Sequence, residues 1–215
     1  ASNETYSSNI NTPFEYTPTD SSNLAECSLY HNISGSFILN VTNTSSSKLT
    51  SGSKVIVDIS TSANVIAPDG HYRWNVVCND SAGNVAWAQS PNRTLVLDST
   101  APSTFVIGSP ANGTVSSNLA PTITWTQPTE INFKKYEVIV ATDTDRGFNN
   151  VSRRVVITNR THNFTSSLEL FPNQINFIRV IAYDLAGNTR NSTSITTYIT
   201  DTSAPVITLN SPSNN

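Results

Sequence analysis

The chain is poor in the residues that usually advertise chemistry. Only 13% of its 215 residues are charged, and the formal net charge of −3 is spread without acidic or basic blocks. No basic stripe is therefore available to neutralise a phosphate backbone, and nucleic acid is excluded as an expected partner. No apolar run approaches the roughly 18 residues that a membrane-spanning helix needs, so no direct membrane insertion is expected. Ala1 opens into polar sequence without the apolar core of a signal peptide, so a secreted protein would be represented here by its mature form. His31, His71 and His162 stand far apart, and neither Gly-x-Ser-x-Gly nor His-Glu-x-x-His occurs. No catalytic residue, no cofactor and no metal site is expected, and the chain is read as a non-enzyme.

What is abundant is Asn, Ser and Thr, together with an internal repeat. "YRWNVVCNDSAGN" (Tyr72 to Asn84) is matched by "NFIRVIAYDLAGN" (Asn176 to Asn188), and each leads through a further strand to Asp-x-x-Ala-Pro, at Asp98 and at Asp201. The period is about 100 residues. Within each unit short runs alternate apolar and polar, separated by clusters of Gly, Pro, Asn, Asp and Ser at roughly 8–12-residue spacing, which predicts β-sandwiches. Such runs are centred on Phe14, Cys27, Val55, Trp74 and Leu95 in the first unit. In the second they fall at Ile123, Val138, Leu168 with Leu170, Val180 and Tyr198. The two Asp-x-Ala-Gly-Asn segments, Asp80 to Asn84 and Asp184 to Asn188, read as hairpin turns in which Gly83 and Gly187 take a positive φ.

The stretches "FEYTPTDSSNLAECSLY", "GHYRWNVVCNDSAGN" and "LDSTAPSTFVIGSPANGT" resemble the immunoglobulin-like or fibronectin-III-like tandem repeats of archaeal and bacterial cell-surface proteins. The resemblance implies an all-β fold of two tandem sandwich domains and an extracellular, cell-surface location. It leaves function open, since such sandwiches serve as spacers, adhesins and filament subunits alike. The expected division is residues 1–100 as a first domain, 101–203 as a second, and 204–215 as a separate C-terminal strand.

The first unit shows a strand B but no strand A. The second opens with Phe105 and Ile107 as strand A before strand B at Ile123 and Trp125, whereas in the first Ser7, Ser8 and Asn9, the match of Ser116, Ser117 and Asn118, lead straight into Phe14 and Tyr16. The missing segment recurs at the other end: "APVITLNSPSNN" matches "APSTFVIGSPANG", with Ile207 and Leu209 on the positions of Phe105 and Ile107. Val206, Ile207, Thr208 and Leu209 are thus a candidate donor strand, and Phe14, Tyr16, Val55 and Val57 a candidate acceptor groove. Donor and acceptor at opposite ends of one chain make a head-to-tail contact, which propagates into a filament of identical subunits. A segment of a longer covalent repeat gives the same match, and there the chain would be a spacer or a carbohydrate-binding adhesin module, with Trp87 the exposed aromatic. An unstructured tail is the third arrangement.

Cys27 and Cys78 are the only cysteines. On the strands of this sandwich type they occupy neighbouring positions C and F with inward parity, and a cross-strand disulfide is expected in preference to a two-cysteine metal site lacking further ligands. Asn-x-Ser/Thr sequons occur at Asn3, Asn32, Asn40, Asn43, Asn79, Asn92, Asn112, Asn150, Asn159, Asn163 and Asn191. On an extracellular β-protein they predict N-linked glycans at several sites.

Overall fold

The computed structural model describes residues 3–9, 11–21, 23–44, 49–58, 69–88, 91–142, 148, 152–159, 163–165 and 169–211. It is all-β, and the chain divides into two compact units, Ala1–Thr100 with Leu185–Asn188, and Ala101–Asp184 with Thr189–Asn215.

The first domain contains β1 (Glu4–Ser7), β2 (Phe14–Tyr16), β3 (Leu24–His31), β4 (Ile38–Asn43), β5 (Val55–Val57), β6 (Gly70–Asp80), β7 (Val85–Trp87) and β8 (Arg93–Leu97). Its larger sheet runs β1-β8-β6-β3-β4, with β7 also on β6, and its smaller sheet is the pair β2-β5. Between the two lies a core built from one face of each strand: Phe14, Val55 and Val57 from the small sheet meet Cys27, Leu29, Val76, Leu95 and Leu97 from the large one. The period-two alternation of the sequence is what places these side chains together and sends their neighbours outward.

The second domain contains β9 (Ile107–Ser109), β10 (Thr114–Ser116), β11 (Thr122–Trp125), β12 (Phe133–Ala141), β13 (Ser152–Ile157), β14 (Asn163–Thr165), β15 (Ile175–Asp184), β16 (Thr189–Asn191) and β17 (Thr196–Thr200). Its larger sheet runs β10-β17-β15-β12-β13 with β16 on β15, and its smaller sheet is β14-β11-β9. Along β15 burial alternates residue by residue, with Asn176, Ile178, Val180, Ala182 and Asp184 inward. Phe105, Trp125, Tyr136 and Phe133 form the aromatic centre of this core, with ring centroids 4.7–6.4 Å from that of Tyr136.

The central strand pairs of the two domains share their register. Leu24 faces Asp80 and, after a bulge, Cys27 faces Cys78; Phe133 faces Asp184 and, after a bulge at the same place, Tyr136 faces Ala182. Both Asp-x-Ala-Gly-Asn segments turn as expected, with φ of 88° at Gly83 and 96° at Gly187. In the first of them the Asp80 carboxylate accepts the amides of Ala82 and Asn84 at 2.9 and 2.8 Å. One sequence expectation is corrected here. Leu170 is buried in the core but outside any strand, and the strand preceding β15 is β14, at Asn163–Thr165. Leu168 lies outside the described residues.

Candidate functional site

The small sheet of the first domain has two strands where that of the second has three. In the second domain β11 is flanked on both sides, by β14 through Ile123↔Phe164 and by β9 through Trp125↔Ile107. Its counterpart β2 pairs with β5 through Phe14↔Val57 and Tyr16↔Val55. Among the described residues no strand lies on its other edge.

The vacancy is narrower than the sequence suggested, because part of strand A is present in the first domain. β1 runs parallel to β8, with Ser7 opposite Leu97, just as β10 runs parallel to β17, with Ser116 opposite Thr200. The equivalence extends to the following turn. The Asn9 amide donates to Ser7 Oγ and the Asn118 amide to Ser116 Oγ, both at 3.1 Å. Likewise the Asn11 amide donates to Asn9 Oδ1 and the Ala120 amide to Asn118 Oδ1, both at 2.9 Å. Among the described residues of the first domain, none takes the place of Phe105 to Ser109, the first half of strand A in the second. Four polar residues, Glu4 to Ser7, carried too little apolar signal to be read as its second half.

Of the four candidate groove residues, Phe14, Val55 and Val57 are buried within the core, facing the large sheet, while Tyr16 is half-buried. The half-buried positions trace the vacancy. Tyr16 stands where the second domain has Trp125, 4% exposed under Ile107, and Cys78 is half-buried where its counterpart Ala182 is fully buried. The tyrosine hydroxyl accepts a hydrogen bond from Asn43 Nδ2 at 3.0 Å. The floor of the site is the Cys27–Cys78 disulfide, with Cα atoms 4.1 Å apart. It occupies the place that Tyr136, in contact with Phe105, holds in the second domain.

The tail that resembles the missing segment pairs with no strand among the described residues. Val206, Ile207 and Leu209 are 93%, 80% and 89% exposed, and Thr208 is exposed too. Three of these four side chains are thus aliphatic and almost wholly bare.

The sequons separate by environment. Asn112, Asn159 and Asn191 are exposed, whereas Asn3, Asn32, Asn40, Asn43, Asn79 and Asn92 are half-buried. Asn43 spends its amide on Tyr16, and Asn3 Nδ2 donates to the Asn92 carbonyl at 2.8 Å. Asn150 and the side chain of Asn163 lie outside the described residues.

Sequence reasoning gave His31 no role beyond its separation from the other two histidines. It is fully buried, packed 6.2 Å from the Phe14 ring, and its Nδ1 accepts the Ile33 amide at 3.3 Å. Burial pushes its pKa below the ordinary value of 6.5. A depressed histidine pKa means that the unfolded chain takes up the proton first, so this stability is complete above pH 6.5 and is lost as pH falls through the folded value. The first domain is therefore expected to melt at lower temperature as pH drops from 7 to 5. His31→Val, which installs the residue that the second domain carries at this position, Val140, should flatten that dependence; an unchanged slope in calorimetry would assign the acid sensitivity to other groups.

No protein-family model matches the chain, and no curated protein matches its sequence. Among solved structures it is similar to the fibronectin(III)-like modules of Clostridium thermocellum CbhA, at 15% identity and TM-score 0.60, covering 94% of this chain and 90% of that one. It is also similar to the FN1–FN3 domains of chicken CNTN1, at 18% identity and TM-score 0.59, covering 92% of this chain and 64% of that one. The fold is thus that of tandem fibronectin-III-like sandwiches.

Proposed function

We propose that the chain is a structural module of an extracellular cell-surface assembly, joined end to end with identical copies by donor-strand complementation. Residues 206–209 of one copy complete the small sheet of the first domain of the next. The observation that carries this reading is the edge of β2, unpaired among the described residues, taken together with an exposed segment whose sequence resembles that of the strand covering the same edge in the second domain.

The second domain supplies the template for the fit. Placed as β9 is placed, the tail runs antiparallel to β2 with Leu209 opposite Tyr16, as Ile107 is opposite Trp125. Ile207 then takes the position of Phe105, above the disulfide. The amide of Thr126 donates to the carbonyl of Val106 at 3.0 Å, and Thr17 and Thr208 are the corresponding pair. The register also separates inward from outward residues: Phe105 is 2% exposed, while Thr104 and Val106, the counterparts of Val206 and Thr208, are exposed.

An oxidising compartment is supported by the disulfide, and N-linked glycans by the exposed amides of Asn112, Asn159 and Asn191. A low-charge surface rich in amides and hydroxyls suits a subunit that must not bind polyelectrolytes nonspecifically.

The test is the effect of charge on each parity of the tail. Ile207→Asp with Leu209→Asp should reduce the polymer to 23.3 kDa particles in size-exclusion chromatography with light scattering, because two carboxylates would be buried without partners. Val206→Asp should leave polymerisation intact. Equal assembly by both variants would defeat the reading. A single very large polypeptide in denaturing gels would show instead that the same seat is filled within one longer covalent repeat.

A further inference from the structure

We propose that the outer face of the larger sheet of the first domain is a binding site for neutral saccharide. This does not depend on how the chain assembles. Cys27, Leu29 and Val76 face the core, so the intervening residues of β3 and β6 face outward, and Trp87, directly opposite Val77, shares their side. Tyr30 is the centre of an aromatic row on this face. The Phe37 ring stacks at 6.0 Å from it with an interplanar angle of 23°, and the Trp87 ring lies at 5.2 Å on a tilt of 59°. Trp87 is 51% exposed and Phe37 39%, with Leu39 and Val85 open beside them.

The second domain shows that this face is not ordinarily left bare. Ile139 stands where Tyr30 does, and it is 2% exposed because Phe148, from the connection between β12 and β13, packs over it together with Ala141. The Arg179 guanidinium lies 4.2 Å over the Phe148 ring and closes that cover. In the first domain the corresponding connection, residues 32–37, is shorter and ends at Phe37, which extends the aromatic row instead of covering it.

The chemistry of the row selects its occupant. Among the described residues no ionised side chain lies within it, and the two that flank it are of opposite sign: Arg73, one outward position before Asn75 on β6, and Glu26, one outward position before Ser28 on β3. A neutral partner is complementary to such a face, and an acidic or basic one is not. The neighbouring polar groups are uncharged: the half-buried Thr42 hydroxyl and Asn92 amide, held at 2.8 and 2.9 Å by Ser28 and Asn75, which are themselves buried beneath them. Aromatic ring faces flanked by a hydroxyl and an amide match a pyranose, which offers an apolar C–H face and a rim of hydroxyls.

The full chain, produced without N-glycans so that none of its own sugars can occupy the face, should be applied to an immobilised panel of neutral and acidic oligosaccharides. Retention by at least one neutral class is expected. Trp87→Ala and Phe37→Ala should each weaken it tenfold or more, and Val115→Ala, which alters an equally open residue of the second domain, should not. Retention by no neutral glycan, preference for the acidic ones, or binding unaffected by Trp87→Ala would overturn the proposal. So would wild-type self-association that Trp87→Ala abolishes, since the face would then be a contact between copies. Circular dichroism of both aromatic variants, each altered at a solvent-facing ring, excludes unfolding as the cause of lost retention.

Discussion

A chain cut after Ser203 is expected to keep the second domain as stable as in the full assembly and to lose much of the stability of the first. The two inward residues of the tail, Ile207 and Leu209, contribute roughly 1.5–3 kcal/mol each on full burial. Each backbone bond made to β2 adds about 1 kcal/mol net. Loss of translational and rotational freedom on association offsets several kcal/mol of this, so the remainder is a sizeable fraction of the 5–15 kcal/mol that usually holds a domain together. Scanning calorimetry of the truncated chain should therefore show two transitions, one near that of the assembly and one well below it. A synthetic peptide of residues 204–215 should raise the lower transition with concentration, by about 2.7 kcal/mol at a hundredfold excess over its dissociation constant. Truncated protein whose first domain melts with the intact assembly, and is indifferent to the peptide, would mean that the edge of β2 needs no partner.

That prediction falls on the part of the molecule most legible in the sequence. Repetition made the vacancy visible: the segment preceding Ile123 and Trp125 contains Phe105 and Ile107, the segment given before Phe14 and Tyr16 has no such pair, and a like pair recurs at Ile207 and Leu209. The strands read correctly are those with one face in the core, β2, β3, β5, β6, β8, β9, β11, β12, β15 and β17, where burial enforces alternation. Those not foreseen are edge or polar strands. β4, at the edge of its sheet, shows Ile38 and Leu39 both exposed in succession, and a bulge at Asn40 shifts its pairing between Leu29 and Tyr30. In β13 the adjacent Arg153 and Arg154 break the alternation, and β1 and β10 are held by parallel pairing to the last strand of each domain, through backbone groups that leave no mark in side-chain pattern. The aromatic row was partly legible. Trp87 stood out as a tryptophan away from core parity, but Phe37 and Tyr30 belong to it only through contacts across the sheet, and its contrast with the covered face of the second domain depends on Phe148 folding over Ile139.

Removing the disulfide, as Cys27→Ala with Cys78→Ala, is expected to have an effect of similar size and on the same domain. The two cysteines are 51 residues apart, and closing a loop of that length in the unfolded chain stabilises the native state by about 4 kcal/mol on chain-entropy grounds. Its position explains why only the first domain has it. In the second domain the corresponding pair is Tyr136 and Ala182, and the tyrosine ring is wedged among Phe105, Trp125 and Phe133. One of those rings, Phe105, belongs to the half-strand that has no counterpart among the described residues of the first domain. A large side chain at Cys27 would lose that packing partner whenever the seat is empty, whereas a covalent link between β3 and β6 holds without it. Urea unfolding of the double variant should accordingly lower the midpoint of the first transition and leave the second in place. The loss should be greatest in the chain truncated after Ser203, because link and strand support the same seat and their removal does not add independently. Equal losses with and without the tail would mean that the disulfide stabilises the first domain without reference to the strand above it.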